Sequence, residues 1–236
     1  MAKRELEIIY EDNHLIAINK PNGFLVHTDD TGDTSLEEIL REYLKEKYQK
    51  PGNVFLQSCH RLDRPVSGAL IFAKTSKGKE RMRQLFTERK VDKTYLALVT
   101  KLPDPYEADL QNWMYKDRNK NIVEVVKGER VGAVKARTVY KTLGKVDRFF
   151  LIQLHPITGK SHQLRVHMSF IGSPIYGDVK YGGQTIHDPN SFMLHCRKME
   201  FIHPIQKVPV VLKAELPDLP WWRKYKDQIM ALEEQE

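Results

Sequence analysis

Short segments rich in β-branched and aromatic residues recur along most of this chain, and they restrict its fold more than any other feature does. Gly, Pro, Asp and Asn separate these segments, as is typical of strands joined by turns. The helical patterns among them follow no regular β-α-β alternation, so the sequence predicts an α+β fold, a single domain around a mixed, largely antiparallel sheet. The predicted strands lie within residues 6–19 (two strands) and at 70–73, 94–99, 122–126, 134–140, 149–154, 192–196 and 208–212.

Four other segments have the apolar spacing of helices. In the first, Ser35 and Glu38 have the spacing of a capping box, which predicts where the helix begins. In the last, Asp218 is in the position of an N-cap and is followed by an apolar side that includes two adjacent tryptophans. Helices are therefore predicted over residues 36–48, 78–90, 161–171 and 218–232.

The chain has 236 residues, 41% of them hydrophobic, which is enough to bury a core, and we expect one domain over residues 1–236. The longest stretch without Asp, Glu, Lys or Arg has 12 residues, whereas a membrane-spanning helix needs about 20. The charged N-terminus has no apolar core behind it, so no secretory leader is expected. The two cysteines, Cys59 and Cys196, are too few for a disulfide framework. These features predict a cytoplasmic protein that does not contact membranes.

Basic residues are concentrated in one segment. The net charge is +7, and residues 74–93 contain eight basic and three acidic side chains. Such a cluster is either a solvated helix face or a surface for a polyanion, and the segment alone does not decide between them.

A Pro- and Gly-interrupted loop at residues 59–68 contains Asp63, with Arg61 and Arg64 close on either side. A carboxylate near guanidinium groups stays ionised and is available as a nucleophile or a base. The alternative is a structural loop of ion pairs, which composition alone favours.

A second polar segment, residues 155–167, combines a Thr158-Gly159 turn with the predicted start of a helix. Free backbone N–H groups at such a start bind phosphate or carboxylate, and Arg165 is one turn further on. His162 and His167 are five residues apart and therefore miss the spacing of a metal-binding pair. Neither cysteine has a second cysteine near it, so we expect no metal site.

Residues 60–68, His-Arg-Leu-Asp-Arg-Pro-Val-Ser-Gly, resemble the catalytic motif of the RluA family of RNA pseudouridine synthases. Three further segments resemble that family in order and spacing, and the similarity extends from about residue 8 to 212. They are Lys-Pro-Asn-Gly-Phe-Leu-Val-His at 20–27, Lys-Thr-Tyr-Leu-Ala at 93–97, and Thr-Gly-Lys-Ser-His-Gln-Leu-Arg-Val-His at 158–167, continuing to Asp178. The chain starts almost directly at the first motif, so we do not expect the small RNA-binding S4 domain that many relatives carry in front.

The resemblance implies a reaction in which the uracil N1–C1′ bond breaks, the base turns and C5 joins C1′. This needs neither redox nor hydrolysis, so no cofactor is implied, and one carboxylate suffices because the base is added back. The resemblance assigns that carboxylate to Asp63, its orienting partner to Arg165 and contact with the uracil ring to Tyr95. Without it, Tyr95 would be interpreted as a core residue of a strand. Whether Asp63 acts at the sugar or at the base stays open.

A uridine inside an RNA helix or loop has to leave its stack before a carboxylate can reach it, which requires a basic surface that holds the RNA. By the resemblance, Leu194 packs under the catalytic pocket, while Lys20 and His27 maintain the fold. The residues expected to contact RNA are Arg61, Lys77, Lys79, Arg81, Arg83, Arg89, Lys160 and His162.

Two other functions compete with this one. An RNA-binding protein of the same fold could act as a chaperone, but it has no need for Asp63, Tyr95 and Arg165 together. A hydrolase could use Asp63 with a metal, but the sequence lacks a cluster of metal ligands. We therefore predict a monomeric, cofactor-free enzyme whose partner is structured ribosomal RNA, transfer RNA or both.

Overall fold

The computed structural model describes residues 6–29, 32–186, 188 and 191–235. The chain forms two compact units. Unit 1 comprises the chain up to Asp92 and Cys196–Pro217, and unit 2 comprises Lys93–His195 and the chain from Asp218 onwards. None of the helices in the described ranges is long and apolar enough to cross a membrane.

The elements follow one another along the chain in this order: β1 (Glu7–Glu11), β2 (Leu15–Lys20), α1 (Leu36–Lys47), β3 (Gln57–Ser58), β4 (Ser67–Ala73), α2 (Ser76–Thr87), β5 (Asp92–Val99), β6 (Glu107–Asp117), β7 (Ile122–Val126), β8 (Ala133–Val146), β9 (Phe149–Pro156), α3 (Gln163–Phe170), a short 3-10 helix (Val179–Tyr181), β10 (Leu194–Ile202), β11 (Pro209–Lys213), α4 (Pro220–Lys224) and α5 (Lys226–Glu234).

In unit 1 the strands follow the order β1-β2-β4-β10, with β3 paired to β4 and β11 paired to β10. β4 is buried along its whole length, which agrees with its continuous apolar sequence. It begins beside Gly68, where φ is +114° and an added Cβ would lie 2.2 Å from the carbonyl oxygen of Cys196. Only glycine permits this close approach of two strands, and it fixes where the loop that carries Asp63 ends.

In unit 2 the strands follow the order β5-β9-β8-β6-β7, all in antiparallel pairs. One face of β6, β7 and β8 is covered by α3 and by the 3-10 helix. There Val166 and Tyr181 share an apolar cluster with Met114, Val123 and Ala136. This cluster holds α3, and with it Arg165, against the sheet.

The α+β class with a largely antiparallel sheet is confirmed. The predicted capping box is confirmed as well, because the Ser35 hydroxyl accepts from the Glu38 backbone N–H and the Glu38 carboxylate accepts from the Ser35 backbone N–H. The N-terminal pair of strands is present as β1 and β2.

The structure differs from the sequence prediction in several details, such as the unpredicted β3, and four of them have a clear physical reason. β6 was not predicted, because Asp, Gln and Asn interrupt its apolar residues and its stability comes from pairing with β7 and β8. The strand predicted at 192–196 begins at Leu194 and continues to Ile202, where β11 pairs with it. α2 begins two residues early, because the Thr75 hydroxyl accepts from the Gly78 N–H. The last helix is divided at Tyr225, and its N-cap is Leu219, since Asp218 accepts from Arg223 instead.

Candidate active site

Asp63 lies in unit 1, on the loop between β3 and β4. Its backbone carbonyl accepts from the Val66 N–H at 2.9 Å, which closes a turn around the residue. Its side chain is 18% exposed, and the Arg61 guanidinium lies 3.9 Å from its Oδ1. Arg61 is mostly exposed, so this pair brings a cation to a carboxylate that is itself within reach of solvent.

The second arginine beside Asp63 has other partners. Arg64 donates from Nε to the Gly23 carbonyl at 2.9 Å and forms an ion pair with Asp33 at 2.6 Å. The Gly23 N–H in turn donates to the Arg64 carbonyl at 2.9 Å. Arg64 therefore ties the loop to the segment that follows β2, while Arg61 is the arginine that faces Asp63.

The loop is also attached at its start. His60 accepts the Ile71 N–H at its Nε2 with a length of 3.1 Å, and its ring lies 5.1 Å from that of Phe86. These contacts connect the residues before Asp63 to β4 and to α2. The histidine of the motif thus has a positioning role in unit 1.

Lys20 lies beneath the Asp63 loop and is fully buried. Its ammonium donates to the carbonyls of Pro21, Arg64 and Val66 at 3.1, 3.0 and 2.7 Å. Burial lowers the pKa of Lys20 to about 7, and the negative charge of Asp63 opposes this shift. A buried cation thus holds the backbone on the C-terminal side of Asp63.

Arg165 lies on α3 of unit 2 and is buried. It donates from Nε and Nη2 to the two carboxylate oxygens of Asp178 at 2.7 and 2.8 Å. Its guanidinium carbon lies 4.9 Å from the ring centre of Tyr181 and 4.7 Å from that of Phe192. Asp178, Tyr181 and Phe192 together fix the orientation of the guanidinium.

Tyr181 also connects α3 to the sheet. Its hydroxyl lies 2.6 Å from Nδ1 of His162 and accepts the Val123 N–H at 3.0 Å. His162 is in a left-handed conformation with φ of 53°, directly before α3 begins. One hydroxyl therefore joins the N-terminal end of α3 to β7.

Gln163 explains why α3 begins where it does. Its Oε1 accepts from the Thr158 hydroxyl at 2.6 Å and from the Lys160 N–H at 3.0 Å. Its Nε2 donates to the Arg137 carbonyl and the Thr138 hydroxyl, both at 2.9 Å. The Thr-Gly-Lys-Ser-His-Gln motif is thus a loop closed by one buried amide, which leaves the Lys160 side chain exposed.

The other two residues assigned to the site by resemblance are buried in unit 2. Tyr95 lies on β5 opposite Leu154 and is 8% exposed. Leu194 begins β10 and is buried. The structure thus brings Arg165 together with His162 through Tyr181, and it holds Asp63 and Arg61 in unit 1.

The predicted RNA-contacting residues of α2 differ in their environment. Arg83 is paired with Glu80 at 2.6 Å, and the Lys79 ammonium donates to the Ser58 carbonyl. Lys77 and Arg81 are exposed, and Arg89 is exposed in a left-handed conformation just beyond the helix. Within the described residues no carboxylate is paired with Lys77, Arg81 or Arg89.

Sequence reasoning assigned no functional role to Asp178 or Tyr181 and gave Lys20 only a role in the fold. Asp178 belongs to the quoted motif, and an acidic residue in an otherwise apolar stretch is the signal that would have identified it. Tyr181 and Lys20 have no such signal, because their partners are distant in sequence. Among the described residues, no three His, Cys, Asp or Glu side chains are grouped so that they could hold a metal ion.

Comparison with known proteins agrees with this arrangement of motifs. Residues 14–170 match the family model described as RNA pseudouridylate synthase. A protein from Vibrio parahaemolyticus named tRNA pseudouridine synthase C is 33% identical, over 92% of this chain and 93% of that protein. A Buchnera aphidicola protein named ribosomal large subunit pseudouridine synthase C is also 33% identical, over 89% of this chain and 67% of that protein. The solved structure of human RNA pseudouridylate synthase domain containing 4 has a TM-score of 0.76 and 26% identity, and the match covers 95% of this chain and 93% of that one.

Proposed function

Because the chain belongs to the RluA family of RNA pseudouridine synthases and isomerises uridine to pseudouridine in RNA, we propose that Asp63 is its catalytic carboxylate. The observation that carries this proposal is the environment of Asp63. It is a partly exposed carboxylate on a loop held by a buried ammonium, with a guanidinium nearby. Such surroundings hold the loop and its carboxylate in one position.

The reaction needs a negatively charged Asp63 carboxylate whether that carboxylate acts at the sugar or at the base. During the reaction the N1–C1′ bond breaks and the C5–C1′ bond forms, while C5 loses a proton and N1 gains one. A carboxylate at C1′ stabilises or captures the positive charge that develops on the sugar, and a carboxylate at the base adds to the ring. Both routes use the electron pair of the carboxylate, and neither consumes a further reactant.

Arg165 and Tyr95 are proposed to act in the same reaction. The Arg165 guanidinium is held rigidly by Asp178 and two aromatic rings, so it enters the reaction already oriented. Tyr95 is largely buried, and its ring is proposed to lie against the uracil. Leu194 is proposed to supply apolar surface next to the target base.

We propose transfer RNA as the substrate and a cytoplasmic monomer as the active form. Support for transfer RNA comes from the relative named tRNA pseudouridine synthase C, which aligns over nearly its whole length, whereas the ribosomal relative extends well beyond the match. Pseudouridine mapping in cells with and without this gene is expected to find the missing sites in transfer RNA. Losses confined to ribosomal RNA would contradict the substrate, and a dimer in sedimentation would contradict the monomer.

The experiment on Asp63 is a single-turnover assay of Asp63→Asn, which keeps the shape of the side chain and removes its charge. Pseudouridine formation is expected to cease while RNA binding stays intact. Asp109→Asn, which removes an exposed carboxylate of unit 2, is the matched control and is expected to keep the wild-type rate. Turnover of Asp63→Asn within roughly tenfold of wild type would refute the assignment.

A further inference from the structure

The turn between β6 and β7, residues 118–121, carries charge that no other part of the described structure neutralises. Arg118 and Lys120 are exposed, and neither is paired with a carboxylate among the described residues. The neighbouring acid, Asp117, accepts the N–H groups of Asn119 and Lys120 at 2.9 and 3.1 Å. The carboxylate of Asp117 therefore shapes the turn, and the turn carries two exposed cations.

This turn is attached to the candidate catalytic arginine through a short series of contacts within unit 2. Asp117 pairs with Ile122, so the ladder resumes one residue before Val123. The Val123 N–H donates to the Tyr181 hydroxyl, and the Tyr181 ring lies against Arg165. Val123 is three positions after Lys120 in the chain, a span of at most about 10 Å.

The N-terminal end of α3 meets the same tyrosine. His162 is 2.6 Å from the Tyr181 hydroxyl, and Lys160, two residues earlier, is exposed with no carboxylate partner in the described ranges. Tyr181 thus links two polar segments, the β6–β7 turn and the start of α3, that are some 40 residues apart in sequence. We name Arg118, Lys120 and Lys160 the cationic ledge.

We propose that the cationic ledge binds backbone phosphates of the RNA strand that flanks the target uridine. The proposal rests on the proposed function, because it assumes that Arg165 acts on that uridine. Charge complementarity supports RNA as the occupant, since phosphates are the anions that the substrate presents next to the reacting nucleotide. Arginine and lysine on an exposed turn fix the position of a backbone rather than read bases.

The ledge is attached to rigid structure, which distinguishes it from an ordinary solvated turn. Val123 and Tyr181 are buried in the cluster that holds α3 against the sheet. A phosphate bound at the turn is therefore held by a part of unit 2 that is packed against the helix of Arg165. Contacts of this kind add affinity for any RNA and take no part in the chemical step.

The test compares two double variants with the same net charge. Arg118→Gln/Lys120→Gln removes the turn cations, while Lys127→Gln/Lys145→Gln removes two exposed lysines elsewhere in unit 2. Dissociation constants for a transfer RNA transcript are measured from about 50 to 200 mM salt. The turn variant is expected to flatten the slope of log affinity against log salt by about one to two units, and the control by much less. At saturating enzyme the single-turnover rate of both is expected to stay within about twofold of wild type.

Two results would overturn the proposal. Equal salt slopes for the turn variant and the control would mean that the turn is only solvated. A normal slope combined with a large loss of the saturated rate would mean that the turn acts on the catalytic centre instead. Failure of the proposed function gives a different result, because wild-type protein would then form no pseudouridine in the transcript, while the salt slopes are binding measurements and still report on the ledge.

Discussion

Unit 2 contains two ion pairs of nearly identical geometry in different surroundings, and this permits a direct prediction about their energies. Arg165 and Asp178 form two hydrogen bonds of 2.7 and 2.8 Å, and their side chains are 8% and 2% exposed. Arg137 donates to both oxygens of Asp109 as well, from Nε to Oδ1 at 3.0 Å and from Nη2 to Oδ2 at 2.7 Å, and Nε also lies 3.0 Å from Oδ2. These side chains are 48% and 37% exposed. Replacing each aspartate by asparagine therefore tests burial with geometry held constant.

The two changes are expected to differ severalfold in cost. Asp178→Asn removes the charge of the carboxylate that accepts two Arg165 hydrogen bonds, and breaking a buried pair in this way costs about 3–5 kcal/mol. Asp109→Asn leaves a guanidinium that water can solvate, so its loss of stability is expected to be much smaller. Arg165 gains little by moving towards solvent, because it would leave the rings of Tyr181 and Phe192. A loss of this size is a large part of the roughly 5–15 kcal/mol that stabilises a folded protein.

The assay is urea unfolding followed by tryptophan fluorescence. All three tryptophans, Trp113, Trp221 and Trp222, lie in unit 2, so the signal reports the unit that contains both pairs. The unfolding midpoint of Asp178→Asn is expected to fall far below that of Asp109→Asn at an unchanged slope. Equal midpoints, or a larger loss for Asp109→Asn, would refute the argument that burial decides the energy of these pairs.

Three further predictions concern catalysis, RNA binding and pH. Arg165→Lys keeps the charge but loses the bidentate contact with Asp178, so the single-turnover rate is expected to fall at least about tenfold. A wild-type rate would contradict this prediction. Arg81→Gln is expected to reduce the salt dependence of RNA binding more than Arg83→Gln, because the Arg83 guanidinium is already paired with Glu80. Equal effects would contradict a role for the unpaired cation. Burial lowers the pKa of Lys20 to about 7, so above that pH the unfolded chain holds more protons than the folded one. The stability of wild type relative to Lys20→Met is therefore expected to rise from about pH 7 to 10. A difference in urea midpoints that does not change with pH would contradict this prediction.

The sequence predicted best those elements whose signals are local. The capping box at Ser35 and the strands rich in β-branched residues depend on neighbours within a few positions, and they are present. β6 was missed because its residues are mostly polar, and only pairing on both edges makes it a strand. Its prediction would have required knowledge of β7 and β8, which local patterns do not supply.

The same distinction applies to the candidate site. The motifs identified Asp63, Tyr95 and Arg165 as candidates, because their spacing in the sequence is characteristic of the family. The groups that hold them were not identifiable in this way. Lys20 contacts carbonyls 44 and 46 residues away, and Asp178 is 13 residues from Arg165. Such partners become visible only when the chain is folded.

In each unit a buried charged side chain contacts a candidate catalytic residue or its loop, and stability alone does not account for either of these two charges. Lys20 is buried under the Asp63 loop, and Asp178 is buried against Arg165. Apolar residues of similar volume often stabilise a fold as well as a buried charge does, or better. A buried charge with all its hydrogen bonds made has one favourable geometry, however, and it transmits that geometry to whatever it contacts. The physical role of Lys20 and Asp178 is therefore to limit the orientations open to the Asp63 loop and to Arg165, at a cost in stability that the rest of each unit offsets.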